Sequence, residues 1–479
     1  MPGVHGILAS DARSVGVHIS GHVITSTQEL RPLLRLAGPV VLAEVGWMSM
    51  GLVDTVMVGR LGPAAIGATG MGSGVFTAIV IFGMGLMLGL DSLVSRSSGA
   101  GRHDDCLRWL HQGVVLALGV APVVMLVTWA VFLTIDGWGL NAEIRGMAGP
   151  YLRVIAFSAP PLLLYATFRR YLQGLHVVRP IMYALVSANL VNAAANAILI
   201  YGRFGVPALG VTGSAWATCI ARVYMAAFLY AAVRREHRRR GDAHPNVPFA
   251  VEWARLRTLI ALGLPAASQI TVEVGVFALA TALAARLDTV SSASHQIALN
   301  IASVVFMVPL GLGSAGAVRV GHAIGARDGL RARAAGWTAL GLGGAIMVGL
   351  GLGLFLLPGP LLRLFTADGR VIEIGTRLLA IAAAFQLFDG TQAVATGVLR
   401  GLGDTRTPMV MNVIGHWLLG LPVGYALCFS RGWGVVGLWA GLSIGLVFCA
   451  VVLFATWIVR TRGGTLSADL HPPDMPELL

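Results

Sequence analysis

The sequence predicts an all-α polytopic membrane protein: twelve transmembrane helices in two six-helix lobes related by an internal parallel repeat. Three observations predict it. Only 12% of the 479 residues are charged and mean hydropathy is +0.77, where a soluble domain carries roughly 25% charge. Apolar runs recur from 34 to 459, at the spacing of one spanning helix plus its loop, about 35 residues when the span itself takes about 20. A shift of 226 residues lays the second half of the chain on the first.

The first six runs centre on 34–57, 66–92, 112–135, 151–172, 181–201 and 210–233. The second six centre on 258–286, 292–316, 335–357, 376–398, 409–429 and 435–459. In hydrocarbon each span must satisfy its own backbone hydrogen bonds, so each run is read as a helix. The ten-residue alternation of a membrane barrel is absent. Residues 1–33 read as a polar N-terminal tail with no signal-peptide pattern, and 34–233 as the first lobe. An Arg-rich linker follows at 234–257, then the second lobe at 258–459 and a C-terminal tail at 460–479. Four dispersed cysteines without a CxxC indicate neither a disulfide framework nor a metal site.

The formal net charge of +12 comes from 34 basic residues, every one arginine, against 22 acids. The arginines cluster in the connections on the N-terminal side: Arg96, Arg102 and Arg108; Arg169, Arg170 and Arg179; the RREHRRR run at 234–240; Arg319, Arg327, Arg331 and Arg333; Arg400 and Arg406; Arg460 and Arg462. The opposite connections hold single residues such as Arg60, Arg203, Arg286 and Arg431. By the positive-inside rule both termini are expected in the cytoplasm. The basic excess is thus a topology signal in a bilayer and not a nucleic-acid surface. The RREHRRR run reads as a solvated linker in preference to an anionic-lipid site.

The repeat aligns Leu36 with Leu262, Pro39 with Pro265, Leu61 with Leu287, Gly85 with Gly311, Val94 with Val320, and Gly99-Ala100 with Gly325-Ala326. An even number of helices per copy makes the copies parallel, related by an axis along the membrane normal. Two such bundles enclose a central cleft, and rocking them gives alternating access. Duplication with Gly- and Pro-interrupted helices favours a transporter over a channel.

Four acids lie well inside apolar runs: Glu44 and Asp54 in the first, Glu273 in the seventh, Asp389 in the tenth. Charge at that depth is costly, so such residues face a cavity, pair, or carry a proton. A buried carboxylate can exchange protons near neutral pH or offer oxygen to Na+. The plainer alternative is a structural, hydrogen-bonded acid. Under the repeat Asp54 falls opposite Ala280 and Glu273 opposite Trp47, so each lobe has its own acids. A helix 7–helix 10 pair, Glu273 and Asp389, is expected to hold one cation. Asp54 is expected to act in substrate binding or coupling. Secondary polar candidates are His295, Gln296 and Asn300 in the eighth run, and Asn192 and Asn196, with Asn189, in the fifth. Gln296 and Asn300 share a helix face, as do Asn192 and Asn196; all are equally readable as interhelical glue. His416 reads as a satisfied interior histidine, and Arg222 as the one arginine deep in a span. No Walker, HExxH or GxSxG motif is present, so no enzyme and no cofactor are expected, and energy is expected from an ion gradient.

At these residues the chain resembles the multidrug and toxic compound extrusion (MATE) family, most closely its bacterial NorM-like branch. The resembling stretches are LAGPVVLAEVGWMSMGLVDTVMVGRLG (36–62), LHQGVVLAL (110–118), LGLPAASQITVEVGVFALA (262–280), SHQIALNIASVVFMVPLGLGSAGAVRVGHAIG (294–325) and FQLFDGTQAVATGVLRGLGDT (385–405). The resemblance implies a V-shaped pair of lobes in the bacterial cytoplasmic (inner) membrane. It implies export of cationic, often aromatic drugs or toxins in exchange for Na+ or H+. Glu273 and Asp389 resemble the second-lobe cation acids, and the metal ligands if Na+ is the ion. Asp54 resembles the first-lobe acid, and Gln296 a polar substrate contact. Three positions depart from the pattern: Phe385 stands where a hydroxylated aromatic is common, Asn196 where another branch has Asp, and Glu44 is extra, a further candidate for substrate or coupling.

The sequence is therefore read as a cation-coupled multidrug antiporter working as a monomer by alternating access. The alternative is a flippase for a lipid-linked or polyprenyl precursor, which would line its cavity with arginine to hold phosphate. A membrane scaffold or receptor is disfavoured by four intramembrane acids.

Overall fold

The computed structural model describes residues 26–138, 141–240 and 247–462. Most of the expected N-terminal tail, part of the linker and nearly all of the C-terminal tail lie outside the described residues. Twelve of the described helices are long and apolar enough to cross a membrane. The first six are α1 (Glu29–Gly59), α2 (Pro63–Gly99), α3 (His103–Trp138), α4 (Ala142–Gly174), α5 (Arg179–Leu199) and α6 (Gly210–Arg239). The second six are α7 (Trp253–Ala284), α8 (Thr289–Gly325), α9 (Gly329–Leu356), α10 (Gly369–Gly401), α11 (Arg406–Ser430) and α12 (Gly434–Thr461).

Local chemistry sets the starts. Gly62, at φ 114°, turns the chain and Pro63 opens α2, where a missing N–H costs nothing. Asp288, Asp328 and Asp368 precede α8, α9 and α10, and each side chain accepts a backbone N–H of the first turn. Those acids are N-caps. Three helices are interrupted, α4 by a 3-10 turn over Ala156–Ser158. α2 breaks at Met87–Leu88. α11 widens into π-helix over Val413–Gly420 and again over Ala426–Ser430. There its glycines press on those of α12, Gly415 against Gly445 and Gly424 against Gly441, and π turns inside α-helices often mark functional segments.

The lobes meet through two crossings that obey the repeat. α2 crosses α7 with Gly85 against Ala267, and α8 crosses α1 with Gly311 against Val41; both residues of the second contact are the repeat equivalents of the first. Farther along, Gly99 lies against the His322 carbonyl and Gly325 against the Arg96 carbonyl, again an equivalent pair. A Cβ at either glycine would collide with backbone, which explains why glycine stands at those positions in both copies. Both crossings lie toward the ends of α2 and α8, the side on which α1 begins. The molecule is sealed on the side of its N-terminus.

Charge reinforces the seal. Glu29 of α1 accepts from Arg319 of α8 and, at 3.0 Å, from Arg331 of α9. Asp91 of α2 is fully buried and lies 3.3 Å from Arg170 of α4 and 3.4 Å from Arg400 of α10. Arg170 also donates to Ser314 of α8 at 2.8 Å. His176, between α4 and α5, sets its ring perpendicular to that of His322 at 4.8 Å. The expectation that Arg169, Arg319 and Arg400 sit in loops is corrected: all three are buried within helices. The helices run on past the apolar runs, so these side chains meet carboxylates of neighbouring helices instead of water.

Gly99→Ala and Gly325→Ala should each separate the lobes at this end. Spin labels at Arg102 and Arg327 should show a longer, broader distance distribution than in the unsubstituted protein, and similar shifts are expected for both variants. A wild-type distribution in either would contradict the crossing.

Candidate functional site: three carboxylates without an arginine

The first lobe gathers polar side chains around Asp54. Asp54 is 7% exposed on α1. Asn196 Nδ2 of α5 donates to its Oδ1 at 2.6 Å, and Thr218 Oγ1 of α6 donates to its Oδ2 at 3.1 Å. The same Asn196 amide reaches Asn192 Oδ1 at 3.1 Å. The i, i+4 spacing on α5 is what puts both amides on the face turned to α1. Three expected residues are thus brought together, and Thr218 is a fourth that sequence reasoning missed; a lone threonine in a span gives no signal. Asn189 stands apart, donating to the Gly46 carbonyl of α1 and to the Leu185 carbonyl of its own helix.

The second lobe places Glu273 on α7 and Asp389 on α10 within electrostatic reach of each other. Gln269, one turn before Glu273, approaches its carboxylate. Trp417 of α11 donates its indole N–H to the Val272 carbonyl at 2.9 Å, pinning the π-helical segment beside Glu273. His416 is fully buried, with Nδ1 3.7 Å from the Cys449 thiol and Nε2 without a partner. The reading of it as satisfied is corrected. Gln386 and Asn412 are also fully buried with both amide atoms unpartnered, so this lobe holds more polar capacity than its own side chains use.

The remaining expected residues divide. His295 is 1% exposed and committed: Trp439 donates to its Nδ1 at 3.0 Å, which leaves Nε2–H to donate to Thr281 Oγ1 at 2.9 Å. Phe385 packs on the same Trp439, ring centroids 6.1 Å apart. This chain ties α7, α8, α10 and α12 together one turn from Asp389. Gln296 and Asn300 are exposed on α8, their amides 3.5 Å apart. Glu44 does not join Asp54; it is buried in an ion pair with Arg169 of α4. Asp91, unremarked in the sequence, has the same character.

Six acids within the helices, all buried except the half-buried Glu273, therefore form two classes among the described residues. Glu29, Glu44 and Asp91 each meet arginine. Asp54, Glu273 and Asp389 have no ion pair. A buried carboxylate without a fixed counter-charge must take a proton or a cation from outside. No group of three or more His, Cys, Asp or Glu side chains fit to hold a metal occurs among the described residues. Two carboxylates and an amide suit a proton or a monovalent ion.

Two stability predictions follow from this division. Asp91→Asn leaves Arg170 and Arg400 without a counter-charge and should destabilise the sealed arrangement by about 3–5 kcal/mol, read as a shortened unfolding midpoint and lobe separation by spin labelling. Trp439→Phe strips His295 Nδ1 of its donor and should cost about 1–3 kcal/mol; an unchanged thermal midpoint in detergent would refute the assigned tautomer.

Against known proteins, the MatE family model matches residues 39–198 and again 265–426, two stretches whose starts differ by the repeat offset. The chain is 37% identical over 442 residues to "Probable multidrug resistance protein NorM" of Mesorhizobium japonicum, covering 91% of this chain and 95% of that one. It is 33% identical over 440 residues to "Multidrug resistance protein MdtK" of Edwardsiella ictaluri, covering 90% and 96%. Among solved structures, the eukaryotic MATE transporter AtDTX14 superposes with a TM-score of 0.82 at 21% identity, over 92% of this chain and 99% of that one.

Proposed function

The chain belongs to the MatE family and is a transporter, not an enzyme, and from that premise we propose that it exports cationic, aromatic drugs or toxins in exchange for Na+ or H+. The observation that carries this reading is the set of three carboxylates within the spans left without arginine: buried Asp54 in the first lobe, and half-buried Glu273 with buried Asp389 in the second. Glu273 and Asp389 hold the coupling ion. Asp54, with Asn192, Asn196 and Thr218 around it, meets the substrate or a second ion. Gln296 and Asn300 add polar contacts from α8.

The positive-inside distribution puts both termini in the cytoplasm. The side on which the lobes meet is then cytoplasmic. An ion entering from outside neutralises Glu273 and Asp389 and removes the charge that holds a cationic drug, and the drug leaves. One set of carboxylates cannot fully serve both ligands, which is the basis of exchange. Each chain contains both lobes and so works as a monomer. A lipid-precursor flippase would need several arginines free to hold phosphate; of the four buried arginines among the described residues, Arg169, Arg319 and Arg400 are each beside a carboxylate, and Arg222 alone is not.

Ethidium efflux from proteoliposomes tests this under separately imposed Na+ and H+ gradients. One gradient should drive efflux and the other should not. Glu273→Gln and Asp389→Asn should each lower the rate by at least about tenfold, the equivalent of 1.4 kcal/mol. Asp54→Asn should weaken drug binding. Wild-type efflux by both second-lobe variants would overturn the assignment.

A further inference from the structure

One buried charge remains without a function. Arg222 of α6 is 9% exposed, and no carboxylate lies within ion-pair distance among the described residues. Its guanidinium donates to Ser158 Oγ of α4 and lies over the Phe76 ring of α2, Cζ 4.9 Å from the centroid. Phe76 and Ser158 are themselves fully buried. Arginine keeps its charge under all ordinary conditions, and a buried charge without a counter-ion is destabilising. The neutral cradle of one hydroxyl and one ring face offsets only part of that.

The missing counter-ion is close. Arg222 follows Thr218 by four residues, so the two share a helix face with Cβ atoms roughly 5–6 Å apart. Thr218 is the residue that donates to Asp54. Asp54 and Arg222 act on each other electrostatically, yet each is held by neutral groups. The first lobe thus contains one fixed positive and one negative charge, both buried, both unpaired, and one helical turn from contact.

We propose that Arg222 is a positioning residue that serves as the internal counter-cation of Asp54, competing with a cationic substrate for that carboxylate. When a cation occupies Asp54, the guanidinium rests on Ser158 and Phe76. When Asp54 is empty, the guanidinium swings one turn along α6 and neutralises it. The transporter therefore never has to expose a bare carboxylate in its first lobe between cycles. The proposal rests on the reading of Asp54 as a cation-binding acid.

Binding of tetraphenylphosphonium to the purified full-length protein in lipid nanodiscs tests it. Arg222→Gln removes the competitor and should tighten binding by at least about fivefold, the scale of a charge pair in water and so a lower bound for a buried one. The gain should vanish when Asp54→Asn is added. Phe76→Leu keeps the arginine but weakens its resting place, so the guanidinium should shift toward Asp54 and binding should weaken by about threefold, the worth of a cation–π contact. Opposite signs from Arg222→Gln and Phe76→Leu would not arise from general damage to the lobe, which moves both the same way. Should Arg222→Gln fail to fold, Phe76→Leu with and without Asp54→Asn carries the test alone. Unchanged or weaker binding by Arg222→Gln, or a gain that survives in the Asp54→Asn background, overturns the competition. So does tighter binding of an anionic probe, tetraphenylborate, that is lost on Arg222→Gln, since that makes the arginine an anion site. Absence of tetraphenylphosphonium binding by the unsubstituted protein overturns both this proposal and the cation-export reading beneath it.

Discussion

Backbone against backbone, with no side chain between, is the contact on which the arrangement of this molecule depends. Gly99 meets the carbonyl of His322, and Gly325 meets that of Arg96. Helices that approach so closely exclude water over the length of the crossing, and only then are ion pairs such as Asp91 with Arg170 and Arg400 placed in a medium where they are strong and where breaking them is costly. The seal is therefore steric first and electrostatic second. It is also linked to the candidate ion site. Asp389 and Arg400 stand eleven residues apart on one helix, about 16 Å along its axis, so a tilt of α10 that follows ion binding moves the arginine at the seal as well.

The same molecule uses buried acids in two opposite ways. Where a carboxylate fixes structure, an arginine from another helix is built in beside it, and in two cases the partners come from both lobes. Where no arginine is built in, as at Asp54, neutral donors such as Asn196 and Thr218 hold the oxygens in place. Depth in the membrane does not distinguish the two, since Glu44 and Asp54 lie ten residues apart on α1 with the same 7% exposure. What distinguishes them is the neighbouring helix: α4 presents Arg169 to the first, while α5 and α6 present an amide and a hydroxyl to the second.

That distinction explains what was legible in the sequence. Twelve spans were visible because hydrocarbon demands long apolar runs, and the glycines of the crossings were visible as repeat markers, although their purpose was not. Asp54, Glu273 and Asp389 stood out because an acid in an apolar run is conspicuous. Asp91 did not, because it sits where the second run ends, among Gly and Ser, and looks like a boundary residue. Arg169, Arg319 and Arg400 looked like loop charges for the same reason: hydropathy along one chain records the end of an apolar run, not the carboxylate waiting on the next helix. The break in α2 falls in the glycine-rich stretch 83–89, and Pro422 lies between the two π-helical segments of α11; these residues mark weak points, but not the form that the interruption takes.

The two crossings have the form of an isologous interface. Position i of one copy meets position j of the other, and j meets i, as between the protomers of a twofold dimer. Gly85 with Ala267 and Gly311 with Val41 are the two halves of one such contact, now carried on a single chain. In an unfused dimer any change at that surface, or at any acid, would have appeared twice. With both copies on one chain, that restriction does not apply. The interface stayed alike in both halves because each half must still fit the other. The acids had no such partner to match and diverged, leaving Asp54 opposite Ala280 and Glu273 opposite Trp47. The asymmetry of the chemistry is thus a freedom gained by joining the copies, and the symmetry of the seal is the part that joining could not release.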